Sequence, residues 1–248
     1  MARMKIQSLL PLIKLSRQTV AGLAFGVAAL SCAAEAAATA PPPTSQSEQA
    51  ALKPAQALEK LVTGNARFVA GQPAPRDWPT ARAQTAAAQF PYAVVLSCID
   101  SRASSEVIFD QGFGDIFNAR LAGNVLDADV LGSMEFACKL TGAKLIAVVG
   151  HSHCGAIKGA CSGAKLGHLT GLLDKIQPAV VAARAQHPKA APGDPEFVEA
   201  VAEENVRLVL RQIREQSPVL RELIEAGTVG LVGGLYDLET GKVRFLKN

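Results

Sequence analysis

The sequence predicts an α/β domain with a mainly parallel central sheet flanked by helices. Two observations carry this reading. Residues 92–97 (YAVVLS) and 144–150 (KLIAVVG) are short, almost wholly apolar runs, as expected for strands buried on both faces. Segments of helical periodicity alternate with them, which is the pattern of strand–helix units sharing one sheet.

Taken in order, residues 54–68 place Leu58, Leu61 and Val62 at helical spacing and read as an amphipathic helix, ended by the Gly/Pro-rich piece 71–79. The strand at 92–97 follows, then a second strand at 115–120. Residues 127–140 read as one helix, with Asn124 or Asp127 near its start. After the strand at 144–150, long helical patterns cover 169–184 and 196–215. Residues 227–245 read as a strand, a turn at Glu239-Thr240-Gly241, and an edge strand.

The chain has 248 residues, 49% apolar and 19% charged, which excludes disorder and a multi-span membrane protein. Arg3, Lys5, Lys14 and Arg17 against Glu35 alone account for the net charge of +3. Residues 41–248 are therefore electrically balanced, and no electrostatic case for nucleic acid binding exists. The basic start runs into an uncharged stretch, residues 20–34, followed by small residues such as Ala34-Glu35-Ala36. This pattern predicts a secretory signal over residues 1–40, with a periplasmic or secreted product and no stable membrane insertion after cleavage. An uncleaved anchor, lipidation at Cys32 and an organellar transit peptide are weaker readings. Pro41-Pro42-Pro43 opens a flexible linker over 41–53, and residues 54–248 form a single domain.

Two clusters carry chemistry. Cys98-Ile99-Asp100-Ser101-Arg102 follows the first buried strand, and His151-Ser152-His153-Cys154-Gly155 follows the other. Sites in parallel sheets form where strands end and helices begin. Cys98, His151 and Cys154 are donors that suit Zn2+, and three protein ligands leave a fourth tetrahedral position open, as in catalytic zinc sites. Cys154 opens a predicted helix whose N-terminal amides favour its thiolate. Asp100 is placed either to fill the open position or to accept a hydrogen bond from a zinc-held water, and Arg102 to fork onto Asp100 and keep it ionised. Zinc lowers the pKa of such a water toward neutrality, which makes it a nucleophile for a small electrophile.

Cys-x-Asp-x-Arg followed about fifty residues later by Gly-His-x-x-Cys-Gly resembles the β-class carbonic anhydrases, from about residue 55 to the C-terminus. The resemblance implies the fold of that family, with an N-terminal helical arm at residues 54–70 wrapping a partner in a homodimer or tetramer. It implies zinc on Cys98, His151 and Cys154, a catalytic dyad of Asp100 and Arg102, and Gln89 donating to bicarbonate across the dimer interface. The implied reaction is reversible hydration of CO2 by zinc hydroxide, with Val130 and Phe136 as candidates for the CO2 pocket. Ile99 stands where Ser is usual, and Leu121 interrupts a common Arg-Asn-Ala-Gly-Asn run around Arg120 and Gly123. Val95 stands where a bicarbonate-inhibited subgroup has Trp, which favours an open site over one closed by Asp100.

Other readings stand beside these. A Cys98–Cys154 disulfide would explain the pair without metal but leaves Asp100, Arg102 and His151 unexplained. Cys138 and Cys161 read as buried thiols, with a bridge between them as the alternative. His153 is expected outside the ligand set, as a solvated side chain or a proton carrier at the pocket mouth. Hydrolysis of CS2 or COS on the same fold, and a non-catalytic zinc-binding protein, are the rival functions.

Overall fold

The computed structural model describes residues 40–247, so the signal expected over 1–40 lies outside the described residues except for Ala40. Its strands are β1 (Ala93–Ser97), β2 (Ile116–Arg120), β3 (Leu145–His151), β4 (Gly230–Tyr236) and β5 (Val243–Phe245). They form one sheet in the order β2-β1-β3-β4-β5, parallel except for β5. The helices are α1 (Gln46–Ala51), α2 (Pro54–Val69), α3 (Trp78–Thr85), α4 (Ser105–Ile108) and α5 (Ala128–Glu135). They continue with α6 (Gly155–Ser162), α7 (Gly167–Asp174), α8 (Gln177–Gln186), α9 (Pro195–Gln216) and α10 (Pro218–Glu225). Among the described residues no helix is long and apolar enough to cross a membrane.

β1 and β3 are buried at every residue, as their apolar runs predict. Their side chains alternate between two cores. Val94, Leu96, Ile146 and Val148 join the larger one, which holds the buried faces of α5, α6, α8, α9 and α10. Ala93, Val95, Leu145, Ala147 and Val149 join the smaller one, with Ala57 and Leu61 of α2 and Ile108 of α4. Each fully buried aliphatic side chain contributes about 1.5–3 kcal/mol, so both faces must be covered for such strands to be stable.

α9 spans the larger core. Asp194 caps it, accepting from the Glu196 amide at 2.9 Å, and Pro195 occupies its first turn. Phe197, Val201, Val206, Val209 and Ile213 form its buried stripe, which a polar residue, Asn205, interrupts. The helix lies close on β4 because Gly233 has no side chain. A Cβ there would stand 2.6 Å from Val206 Cγ1.

Three expectations need correction. Residues 41–53 are not a linker throughout, since α1 forms within them. Ser45 and Glu48 make a capping box, and buried Gln49 donates to the Pro91 carbonyl at 2.7 Å, tying the helix to the start of β1. The single helix expected over 127–140 is α5 followed by a π-turn, Phe136–Leu140, closed by the Thr141 amide on the Phe136 carbonyl at 3.0 Å. The helix expected over 169–184 is two, α7 and α8. Pro178 stands in the first turn of α8, and a proline there can neither donate to the preceding turn nor avoid its carbonyl. α3 and α10 have no counterpart in the sequence reading. Residues 54–70, expected as an arm over a partner, bury Ala57 and Leu61 against their own sheet and turn Val62 and Val69 outward.

Candidate metal centre

Parallel pairing sets Ser97 opposite Val149, so the residues that follow β1 and those that end β3 emerge side by side. Cys98 is the first residue beyond β1, His151 is the last of β3, and Cys154 is the N-cap of α6. All three are buried, and their ligand atoms lie within 4.8 Å of one another. The Cys98 and Cys154 sulfurs are 3.9 Å apart, against about 2.05 Å in a disulfide. Both are free thiols, as are Cys138 and Cys161, so neither bridge considered from the sequence is present.

His151 Nδ1 lies 2.9 Å from the Ser152 carbonyl. A carbonyl only accepts, so Nδ1 carries the proton and Nε2 keeps its lone pair. That Nε2 is buried without a hydrogen-bond partner. A buried orphan nitrogen is costly unless a cation takes it, and two sulfurs beside it complete a donor set that fits zinc.

The hydrogen bond from Cys154, helped by the Gly123 and Asp100 amides, holds the Cys98 thiol far below its ordinary range against its burial. The same bond, with burial and the Cys98 charge, pushes Cys154 up, while the Ala156 and Ile157 amides at the start of α6 oppose that rise. One sulfur is therefore readily anionic, and the second gives up its proton to a cation.

Asp100 stands at the rim, with Oδ2 3.9 Å from His151 Nε2. Arg102 forks onto it, Nε donating to Oδ1 at 3.0 Å and one terminal nitrogen to Oδ2 at 2.9 Å. The Arg102 backbone amide also donates to Oδ1, at 3.0 Å. These bonds hold the Asp100 carboxyl well below the usual carboxylate range. His153 adopts a positive φ of 55° and turns away toward Glu239, 3.4 Å from its carboxylate, outside the ligand cluster. Gln89 is exposed in the loop before β1, at the opposite end of that strand from Cys98, so it does not join this chain's own cluster. Val130 and Phe136 line a groove of about 790 Å³ between β2 and α5 that reaches Arg120 and Leu121.

The sequence reading assigned no role to Arg120. Its side chain donates to the Cys98 carbonyl at 2.9 Å and to the Asp100 carbonyl at 2.5 Å, clamping the loop that carries both residues. The only sequence signal is an arginine ending a strand beside that loop. Gly123 was likewise left without a role, and its amide lies 3.3 Å from the Cys98 sulfur.

The carbonic anhydrase family model matches residues 93–243. A carbonic anhydrase of Mycolicibacterium smegmatis is 38% identical over 196 residues, covering 77% of this chain and 92% of that protein. One from Pseudomonas aeruginosa is 31% identical over 196 residues, covering 75% of this chain and 86% of that protein. The crystal structure of the β-carbonic anhydrase CafA of Aspergillus fumigatus is similar at a TM-score of 0.63 and 26% identity, covering 78% of this chain and 90% of that one. One of two tetrameric β-carbonic anhydrases from Sordaria macrospora gives 0.63 and 26%, over 68% of this chain and 87% of that one. The matched region holds β1 to β4 and both sequence clusters, and the chain belongs to the β-carbonic anhydrase family of enzymes.

Proposed function

We propose that this protein catalyses the reversible hydration of CO2 to bicarbonate and a proton, with zinc held by Cys98, His151 and Cys154. The observation that carries the reading is the buried, unpartnered His151 Nε2 facing two sulfurs, beside a carboxylate locked by Arg102. Zinc, when bound, supplies the Lewis acidity that makes water nucleophilic near neutral pH.

Asp100, held ionised, can only accept a hydrogen bond, so it takes one from the attacking water and turns the oxygen lone pair toward the substrate carbon. With both its oxygens engaged by Arg102, Asp100 serves better in this orienting role than as a fourth ligand. Val130 and Phe136 offer apolar surface for CO2. Gln89 acts in a homodimer, or a tetramer of such dimers, where a second copy brings it to the bicarbonate oxygens. The assembly of the Sordaria macrospora neighbours supports such an oligomer. The signal pattern of residues 1–40 supports export to the periplasm or beyond.

The test is a zinc assay of the purified mature protein coupled to stopped-flow CO2 hydration across pH 6–9. One zinc per chain with rapid hydration is expected. Active metal-free protein would overturn the reading, as would a zinc-loaded protein that leaves CO2 untouched yet releases sulfide from CS2.

A further inference from the structure

We infer that Asn205 is a positioning residue for the metal centre: its side chain holds the Ala122–Asn124 turn so that the Gly123 amide is aimed at the Cys98 sulfur. The inference rests on the zinc reading above and adds a residue 107 positions from the ligand it serves.

Asn205 is 1% exposed and interrupts the apolar stripe of α9. Its Nδ2 donates to the Gly123 carbonyl at 2.8 Å, and its Oδ1 is buried without a partner. A buried amide whose oxygen has no partner costs stability that an aliphatic side chain would not. The one bond it makes is therefore the feature that accounts for its presence. That bond fixes the peptide following Gly123, and the peptide preceding it presents N–H to Cys98 Sγ at 3.3 Å.

The turn has no latitude of its own. Gly123 has a φ of +66°, and a Cβ there would meet Ile176 Cδ1 at 2.8 Å and Ala156 Cβ at 3.2 Å. Asn124 also has a positive φ, 44°. Gly and Asn reach this left-handed region at little cost, so packing and hydrogen bonds must select the turn, and Asn205 supplies one such bond from across the core. The two sulfurs are served differently. Cys154 faces the amides of its own helix start, whereas Cys98 has the nearby Asp100 amide and takes a second backbone donor, Gly123, from a separate turn. With both sulfurs ionised on a cation, the Cys154 S–H is gone and the backbone amides of Gly123 and Asp100 are the donors left to Cys98. Partners of this kind tune a ligand's donor strength and orientation.

The test uses the full mature protein loaded with cobalt(II), cadmium-113 or zinc, in the wild type and in Asn205→Leu, which keeps the volume and removes the donor. Asn205→Ser serves as a second variant should Leu impair folding. Val209→Ala, buried on the same helix, reports what loosening α9 alone does. In the cadmium-loaded wild type, the Gly123 amide proton should show scalar coupling to the metal through the sulfur. In the Asn205 variants that coupling should vanish and the sulfur-to-cobalt charge-transfer band should move to longer wavelength, because a thiolate with one hydrogen bond fewer donates more strongly. Zinc retention against a chelator should fall about tenfold. Val209→Ala should lower the melting temperature and leave the band and coupling in place.

A loaded wild type without the coupling, or Asn205 variants with wild-type coupling and band, would overturn the inference while leaving the zinc reading intact. A wild type that takes up none of the three metals would overturn both.

Discussion

Arg102 holds Asp100 by three hydrogen bonds of 2.9–3.0 Å, two from its guanidinium and one from its own amide. The carboxylate is thereby fixed in charge and direction at the rim of the Cys98–His151–Cys154 cluster. Asp100→Asn keeps the shape but replaces one acceptor with a donor. CO2 hydration should fall about 10²- to 10⁴-fold with zinc content unchanged, as stopped-flow rates and metal analysis would show. Wild-type turnover in this variant would remove Asp100 from the mechanism.

The proposed ligand set separates neighbours in the sequence. Cys98→Ser and His151→Ala should each lose zinc and activity together. His153→Ala should keep one zinc per chain, because His153 faces Glu239 and not the sulfurs. Metal analysis of the three purified variants checks this, and zinc loss from His153→Ala would refute the assignment.

Asp110 makes a second cluster of charged groups. It is buried between Arg67 and Arg76, the latter at 2.7 Å, and also accepts from the Ala74 amide at 3.0 Å. Asp110→Ala leaves two guanidinium groups uncompensated and should cost about 2–4 kcal/mol. The lower part of that range is expected because the Arg67 side chain is 40% exposed. Urea denaturation should show the loss while zinc content per folded chain stays at the wild-type level.

Burial pushes the Cys138 thiol up to about 12 from an ordinary value of 9.0. Above pH 9 the unfolded chain sheds this proton and the folded one does not, so the unfolded state binds fewer protons and stability falls as pH rises. The decline should begin near pH 9 and continue toward 12. Cys138→Ala should flatten the slope of melting temperature against pH over that range, and an unchanged slope would exclude Cys138 as a source.

Much of this was legible in the sequence because its signals are local. Strands buried on both faces announce themselves as apolar runs, and β1 and β3 lie within a residue or so of 92–97 and 144–150. The candidate metal ligands stand out because cysteine and histidine directly after such runs have few other uses. The break between α7 and α8 was also local, marked by Pro178, and was overlooked. α3 buries none of its residues, so it carries no apolar stripe that periodicity would reveal. α10 does carry one, with Leu220, Leu223 and Ile224 at helical spacing against the larger core, and it was overlooked.

By itself, the sequence determined the α/β class, the strand ends at which chemistry gathers, and which side chains have metal-binding character. The tertiary structure alone decided that Cys98 and Cys154, 56 residues apart, stand 3.9 Å from each other as free thiols. It also placed Arg120 on the loop carbonyls and Asn205 beneath Gly123, 82 residues away. The division has a physical cause. Periodicity and capping are set by neighbours within a few residues, whereas hydrogen-bond partners across a core are chosen by how strands register and helices pack, which no local pattern encodes.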